Sequence, residues 1–308
     1  MSEQLVIYGA NGYTGELVAR RAVARGLRPL LAGRNGEAVG ALARELGLPH
    51  LALGLDDPAA LDGMLAGRTA VLHCAGPFSR TSRPMAEACL RGGAHYLDIT
   101  GEIAVFEGLF RRDAAARAAG VMLLPGVGFD VVPSDCLAAH LKRRLPSATE
   151  LSLAFRALGR VSRGTATTAL EGAHKGGAVR RDGAIVPVPA AHATRAVDFG
   201  RGPVQVAAIP WGDVSTAYHS TGIPNITVYS AFSPGAVRMM RVSRYLRPLL
   251  SAGPVQGLLR GLVRRQPPGP SAEERARGLS LLWGEAVDAA GRRVASRLRG
   301  PEGYTLTA

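Results

Sequence analysis

The chain has 308 residues, enough for one large domain or two ordinary ones, and 47% of them are hydrophobic, which excludes global disorder. Cys74, Cys89 and Cys136 are scattered with no CxxC pair, so reduced thiols in a cytoplasmic protein are expected rather than a disulfide framework. A formal charge of +13, with Lys142 and Lys175 as the only lysines, suits an anionic cofactor, a membrane surface or nucleic acid, though 5% aromatics and no zinc-finger spacing argue against the last.

The N-terminus, "MSEQLVIYG", has no basic n-region, so no secretory signal is expected, and no apolar run of about 18 residues predicts a spanning helix. "QLVIY" reads as a buried strand and residues 13–25 as a helix. "LRPLLAG" is a second strand, followed by a helix over "GEAVGALARELG". "HLALGL" and "AVLHCAG" are strands on either side of the helical "PAALDGMLAG". "SRPMAEACLRGG" is a helix, "HYLDIT" a strand, and "EIAVFEGLFRRDAAARAAG" one longer helix ending at Gly120. "VMLLPGVGFD" is a sixth strand before the helical "VPSDCLAAHLKRRL". Strands and helices alternating over short connections require right-handed crossovers and a parallel sheet covered on both faces. The expected fold class is therefore α/β, with an N-terminal Rossmann-type doubly wound parallel sheet over residues 1–146.

After Pro146 the rhythm changes. "TELSLAFRAL", "GAIVPVP", "PVQVAAIPWGD" and "NITVYSAF" read as strands of a second, α+β mixed-sheet domain over 147–299, for substrate or dimerisation. "LSLLWGEAVD" and "RRVASRLRG" read as a hairpin, a proline-interrupted helical region lies between Pro234 and Gly269, and "RRQPPGPSAEER" looks like a linker. Residues 300–308 are read as the start of a return segment to the first domain.

The first strand runs into Gly9, Gly12 and Gly15. A glycine-rich turn between strand and helix puts backbone N–H groups at a helix N-terminus, where a pyrophosphate is favoured. Gly9 would permit the tight turn, Gly12 the approach of backbone to phosphate, and Gly15 the packing of helix on sheet. At the end of the second strand, an NAD site usually has a carboxylate on the ribose 2′-hydroxyl; here stand Gly33, Arg34 and Asn35. A guanidinium can grip a 2′-phosphate bidentately, so Arg34 argues for NADP(H). Asp56 is placed either to contact the adenine edge or to cap a helix, and "CAGPF", residues 74–78, suits a loop beside the nicotinamide ribose. "TGE", residues 100–102, is either a helix cap or part of the site.

"GANGYTG", "LAGRN", "CAGPF", "YLDITGE" and "PGVGFDVVPSD", in this order and spacing, resemble the saccharopine dehydrogenase-like oxidoreductases, in the branch that includes trans-acting enoyl reductases of lipid synthesis. The resemblance covers about the first 140 residues and continues in "AIPWGDVSTAYHSTGIPNI" and "PEGYTLTA". It implies NADP(H) on a Rossmann domain beside a mixed-sheet domain, with relatives that continue past "GYTLTA" in a helix rejoining the nucleotide domain. The cofactor positions it implies are Gly9, Asn11, Gly12, Tyr13, Thr14, Gly15, Arg34, Cys74, Ala75, Gly76, Pro77 and Phe78. The activity expected is reduction of an apolar or lipid-linked unsaturated substrate. The alternatives are an amino-acid or imine-type dehydrogenase, with Arg156, Arg163, Arg180 and Arg181 as grips on carboxylates, and a non-catalytic NADP-binding or membrane-associated scaffold.

Hydride transfer leaves the protein to position the acceptor and handle a proton. A Tyr-x-x-x-Lys pair is excluded, because Ala138 and Glu171 stand four positions before the two lysines. Tyr218 and His219 are candidate proton donors or ordinary structural residues, and Lys175, beside His174, is a third candidate. Asp130 and Asp135 are expected to cap the following helix. No HExxH or paired Cys/His set appears, so no metal is expected. Residues 235–265 contain arginines and no acid, with Arg238, Arg241, Arg244 and Arg247 three apart among apolar residues. Such a stripe suits helices packed on the second domain or on a second copy of the chain, or peripheral contact with anionic lipid at the inner membrane face.

Overall fold

The computed structural model describes residues 4–158, 161–172, 176–243, 245 and 253–308. The chain divides into two compact units, one of residues 1–130 with 304–308 and one of residues 131–303.

In the first unit the order is β1 (Leu5–Tyr8), α1 (Tyr13–Ala24), β2 (Leu30–Gly33), α2 (Gly36–Leu46), β3 (His50–Ala52), α3 (Pro58–Leu65), β4 (Ala70–His73), α4 (Phe78–Gly92), β5 (His95–Asp98), α5 (Ile103–Phe110), α6 (Asp113–Ala119) and β6 (Leu123–Leu124). All pairings are parallel, in the order β3-β2-β1-β4-β5-β6, which is the doubly wound sheet expected of alternating strands and helices. Successive residues of a strand face opposite sides, and β1 shows the consequence. Val6 and Tyr8 pack with Leu61, Met85 and Phe78 on one face, whereas Ile7 packs with Val18, Ala19 and Val39 on the other. Strand order reverses between β1 and β4, and in open parallel sheets ligands bind at such a point, beyond the strands' carboxyl ends.

The expected single helix over 102–120 is broken at Arg111–Arg112, and α5 and α6 replace it. The Arg112 guanidinium donates to the Gly108 carbonyl at 2.8 Å and to Glu87 at 3.1 Å, satisfying the helix end where it breaks. Helix α4 starts at Phe78, four residues before the expected run, and the sixth strand shrinks to two residues.

The second unit continues with α7 (Val132–Arg144), β7 (Ala148–Leu158), α8 (Arg163–Gly172), β8 (Gly177–Arg181), β9 (Ala184–Val188), β10 (Thr194–Asp198), β11 (Pro203–Ala208), α9 (Asp213–Thr221), β12 (Asn225–Ala231), α10 (Pro234–Ser243), α11 (Gly253–Arg264), α12 (Ala272–Arg277), β13 (Leu279–Asp288) and β14 (Arg293–Pro301). Its sheet runs β10-β11-β12-β7-β13-β14, with β8 against β12 and β9 against β8. The β12–β7 pair is parallel and the others antiparallel, so the sheet is mixed. Gly284 lets α7 lie close, since a Cβ there would stand 2.6 Å from Leu141 Cδ1. Trp283 and Leu281 join Ala154, Val206 and Tyr229 in a separate cluster. The linker-like segment folds locally: Ser271 and Glu274 form a capping box at the start of α12. A last short helix, α13 (Gly303–Thr307), brings Tyr304–Ala308 into the first unit, where Thr307 Oγ1 accepts from the Phe129 N–H at 3.0 Å. Among the described residues no helix is long and apolar enough to cross a membrane.

Candidate functional site

The turn from β1 into α1 is built by backbone. Gly9 has φ of 80°, and the N–H groups of Gly9 and Ala10 both donate to the Ala32 carbonyl, at 2.7 and 3.2 Å, tying the turn to β2. A Cβ on Gly9 would lie 2.8 Å from the Ala75 amide nitrogen. A Cβ on Gly15 would overlap the Gly9 carbonyl oxygen and sit 3.0 Å from Ala10 Cα, so α1 is drawn tightly onto the turn. Gly12 is the N-cap and offers no side-chain oxygen to the first turn of α1. The helix thus presents its positive end, glycine-lined, at the carboxyl edge of the sheet. That is the donor set a pyrophosphate fits. Tyr13 and Thr14 open the helix, and Tyr13 meets Tyr304 edge-on with ring centroids 5.1 Å apart.

At the tip of β2, Asn11 Oδ1 lies 3.1 Å from where a Gly33 Cβ would be. Asn35 uses its side-chain oxygen to accept from the Ala38 N–H at 3.1 Å, so it caps α2. Arg34 is exposed, and among the described residues no hydrogen bond or ion pair engages its guanidinium. The buried Tyr8 hydroxyl donates to the Leu53 carbonyl at 3.1 Å. Burial raises the Tyr8 pKa, with smaller opposing effects of the Arg34 charge, which lowers it, and the Asp56 charge, which raises it. Asp57, and not Asp56, caps α3 by accepting from the Ala60 N–H at 3.0 Å, so the capping alternative for Asp56 is corrected. The Asp56 carboxylate instead folds back toward Gly54.

After β4, the Cys74 N–H donates to the Tyr8 carbonyl at 2.8 Å, continuing the strand pairing. Burial, with Asp98 nearby, pushes the Cys74 thiol up to about 12, so no thiolate nucleophile stands here. Ala75, Gly76 and Pro77, the last after a cis peptide, lead into Phe78. The Thr81 hydroxyl donates to the Ala75 and Pro77 carbonyls at 2.6 and 3.1 Å. Glu102 gives its own helix α5 no side-chain cap; its carboxylate accepts from the Phe78 and Ser79 N–H groups, at 2.7 and 3.1 Å, and so caps α4. Behind it, the Glu102 N–H donates to Thr100 Oγ1 at 3.1 Å, and the Thr100 N–H to Asp98 Oδ1 at 3.0 Å. Asp98 also accepts from the Tyr96 hydroxyl at 2.6 Å and the Gly126 N–H at 2.8 Å, while burial raises its pKa to about 6. The sequence reading missed this relay, although the polar residues at positions 98, 100 and 102 after an apolar strand were its signal.

Helix α7 is capped by neither acid assigned to it: its N-cap is Val131, without a side-chain hydrogen bond. Asp130 is half-buried with its carboxylate against Gly101, and burial raises its pKa to about 7. Asp135 instead accepts from the Ser220 hydroxyl of α9. His73 is fully buried among the rings of Tyr8, Phe78 and Tyr96, and burial lowers its pKa to about 3.

In the second unit, Tyr218 and His219 sit near the end of α9 with rings edge-on, 5.8 Å apart. Tyr218 is half-buried and His219 exposed. The Arg180 guanidinium lies 4.2 Å from the Tyr218 ring centroid and donates to the carbonyls of Val214 at 2.8 Å and Gly183 at 2.6 Å. Arg180 is thus engaged structurally. Lys175 and His174 lie outside the described residues, as do Arg244 and Arg247. Arg238 and Arg241 are exposed on α10, and Arg241 donates to Thr194 Oγ1 at 3.3 Å. Among the described residues no group of three or more His, Cys, Asp or Glu is placed to hold a metal.

A parallel sheet whose first crossover helix begins at a glycine cradle defines a nucleotide-binding α/β domain. Residues 5–124 match the family described as the saccharopine dehydrogenase NADP binding domain; this segment is such a domain, and NADP(H) is its cofactor class. The trans-acting enoyl reductase of Mycobacterium ulcerans (strain Agy99) is 32% identical over 151 residues, which is 46% of this chain and 36% of that protein. A saccharopine dehydrogenase-like oxidoreductase of Bos taurus is 29% identical over 161 residues, covering 46% of this chain and 38% of the relative. The match therefore spans little more than a third of these relatives' length. The apo histidine-tagged saccharopine dehydrogenase (L-Glu forming) from Saccharomyces cerevisiae has the same fold, with TM-score 0.65 at 12% identity over 99% of this chain and 87% of that one.

Proposed function

We propose that the protein is an NADP(H)-dependent oxidoreductase that reduces an apolar or lipid-linked unsaturated substrate. One observation carries the cofactor half of this reading. The α1 end is glycine-lined and lacks a side-chain cap, and the tip of β2 carries an exposed guanidinium where an NAD site has a carboxylate. Gly9, Asn11, Gly12, Tyr13, Thr14 and Gly15 would hold the pyrophosphate, Arg34 the 2′-phosphate, Asp56 the adenine side, and Cys74–Phe78 the nicotinamide ribose. Asn35 would act through its cap of α2, setting where that helix begins beside Arg34. Bound NADPH supplies a hydride, and reduction of a carbon–carbon double bond needs one proton besides. Tyr218 and His219 are the proposed proton donors among the described residues. The similarity to proteins named trans-acting enoyl reductase supports the substrate class.

Mixing the purified protein with NADPH and an α,β-unsaturated acyl thioester tests the proposal. Loss of reduced-nicotinamide absorbance dependent on both protein and thioester is expected. Tight NADPH binding without turnover of unsaturated thioesters would replace this reading with that of a scaffold. Peripheral lipid contact is proposed for 235–265, where Met239 and Val242 are exposed beside Arg238 and Arg241. Sedimentation with anionic but not neutral vesicles is the result that reading expects.

A further inference from the structure

We propose that Glu102 is a positioning residue for the nicotinamide half of the cofactor, fixing the Cys74–Pro77 loop and closing α4's N-terminus to phosphate. The inference rests on the NADP(H) reading above. Strands β1 and β4 are parallel neighbours at the point where strand order reverses, and each runs into a helix whose N-terminus faces the same sheet edge. Both helix ends carry partial positive charge and both would attract a phosphate. They are treated differently. Gly12 gives α1 no side-chain acceptor, whereas the start of α4 receives a carboxylate from 24 residues further along the chain. A second phosphate at α4 would meet that negative charge at close range.

The same carboxylate sets a wall of the site. It holds the N–H groups of Phe78 and Ser79, Thr81 holds the carbonyls of Ala75 and Pro77, and the Cys74 N–H is fixed to β1. The loop is therefore pinned at both ends and in its middle. Glu102 is itself delivered by a relay: Thr100 accepts its N–H, and Asp98 at the end of β5 accepts that of Thr100. The loop in turn lies against the phosphate turn, where the Ala75 amide leaves no room for a Gly9 side chain. Releasing the Glu102 carboxylate frees that wall while leaving the Arg34 end of the crevice untouched.

Calorimetric titration of wild type, Glu102→Ala and Glu102→Gln with NADPH and with 2′,5′-ADP, the adenine half alone, tests this. Glu102→Ala should weaken NADPH about tenfold or more, from the loss of two charge-assisted hydrogen bonds that order the loop, and leave 2′,5′-ADP unchanged. Glu102→Gln keeps one acceptor oxygen and should recover part of the loss. A merely structural role would move both ligands alike or neither. Equal NADPH affinity in wild type and Glu102→Ala, or parallel losses for both ligands, overturns the proposal. If Glu102→Ala does not fold, Glu102→Gln carries the test, and unchanged NADPH affinity in it overturns the proposal equally. Wild-type protein that binds neither ligand refutes the cofactor reading first, and this inference with it.

Discussion

Gly15→Ala tests the cradle through the sign of its effect on stability. In a helix interior, alanine in place of glycine stabilises by about 1 kcal/mol through backbone entropy. At Gly15 the new Cβ would overlap the Gly9 carbonyl oxygen and lie 3.0 Å from both Gly9 C and Ala10 Cα, all of them backbone atoms that cannot rotate away. Overpacking of this kind costs about 1–3 kcal/mol, and the fixed backbone puts Gly15 at the upper end. The net expectation is a loss of roughly 2 kcal/mol, the difference between these two effects. Gly63, in α3, is the control, because nothing lies within 4 Å of its Cβ position. Gly63→Ala should stabilise by up to about 1 kcal/mol, leaving the two variants about 3 kcal/mol apart. Urea unfolding followed by far-ultraviolet circular dichroism reads the difference, and Gly15→Ala should also lose NADPH affinity. A Gly15→Ala protein as stable as Gly63→Ala would refute the close approach of α1 to its turn.

Asp130 makes stability depend on pH in a stated direction. Burial raises its pKa from 3.8 to about 7, so the folded state holds the proton more tightly than the unfolded chain. Its contribution is full below about pH 4 and is lost as pH rises through about 7. Asp130→Asn should therefore gain stability relative to wild type between pH 4 and pH 8 in parallel urea titrations, and a pH-independent difference would contradict the assignment. Tyr218→Phe keeps the ring that packs against Arg180 and should change stability by less than about 0.5 kcal/mol. If the hydroxyl donates the proton, kcat in the thioester assay falls about 100-fold or more; an unchanged kcat removes Tyr218 from the mechanism.

The doubly wound sheet was legible because each of its signals is local. Apolar runs such as Leu5–Tyr8 end in glycine, and the helices that follow bury one face. The second unit hid more. "DVSTAYHST" is rich in hydroxyl and β-branched residues that disfavour an isolated helix, yet it forms α9 with Val214, Ser215, Thr216 and Ala217 buried, where packing overrides propensity. Strands β8 and β10 carry Arg180, which the sequence offers as a grip on carboxylates, and Arg195, and no local pattern announces the partners of either. Those partners are the Val214 and Gly183 carbonyls for Arg180, and Glu285 and the Trp283 ring for Arg195. In the site, the glycines were legible because a missing Cβ is a local property. The Glu102 cap was not, because it joins loops after two different strands, and the notation "TGE" points equally well to its own helix.

In the function proposed here a guanidinium at the tip of β2 selects the phosphorylated coenzyme beside the α1 cradle. Titrating wild type and Arg34→Ala with NADPH and NADH measures it directly. Wild type should prefer NADPH, and the variant should lose about 10- to 100-fold in NADPH affinity, the worth of charge-assisted hydrogen bonds to a phosphate, while NADH binding stays unchanged. Equal losses for the two coenzymes, or none for NADPH, would contradict it.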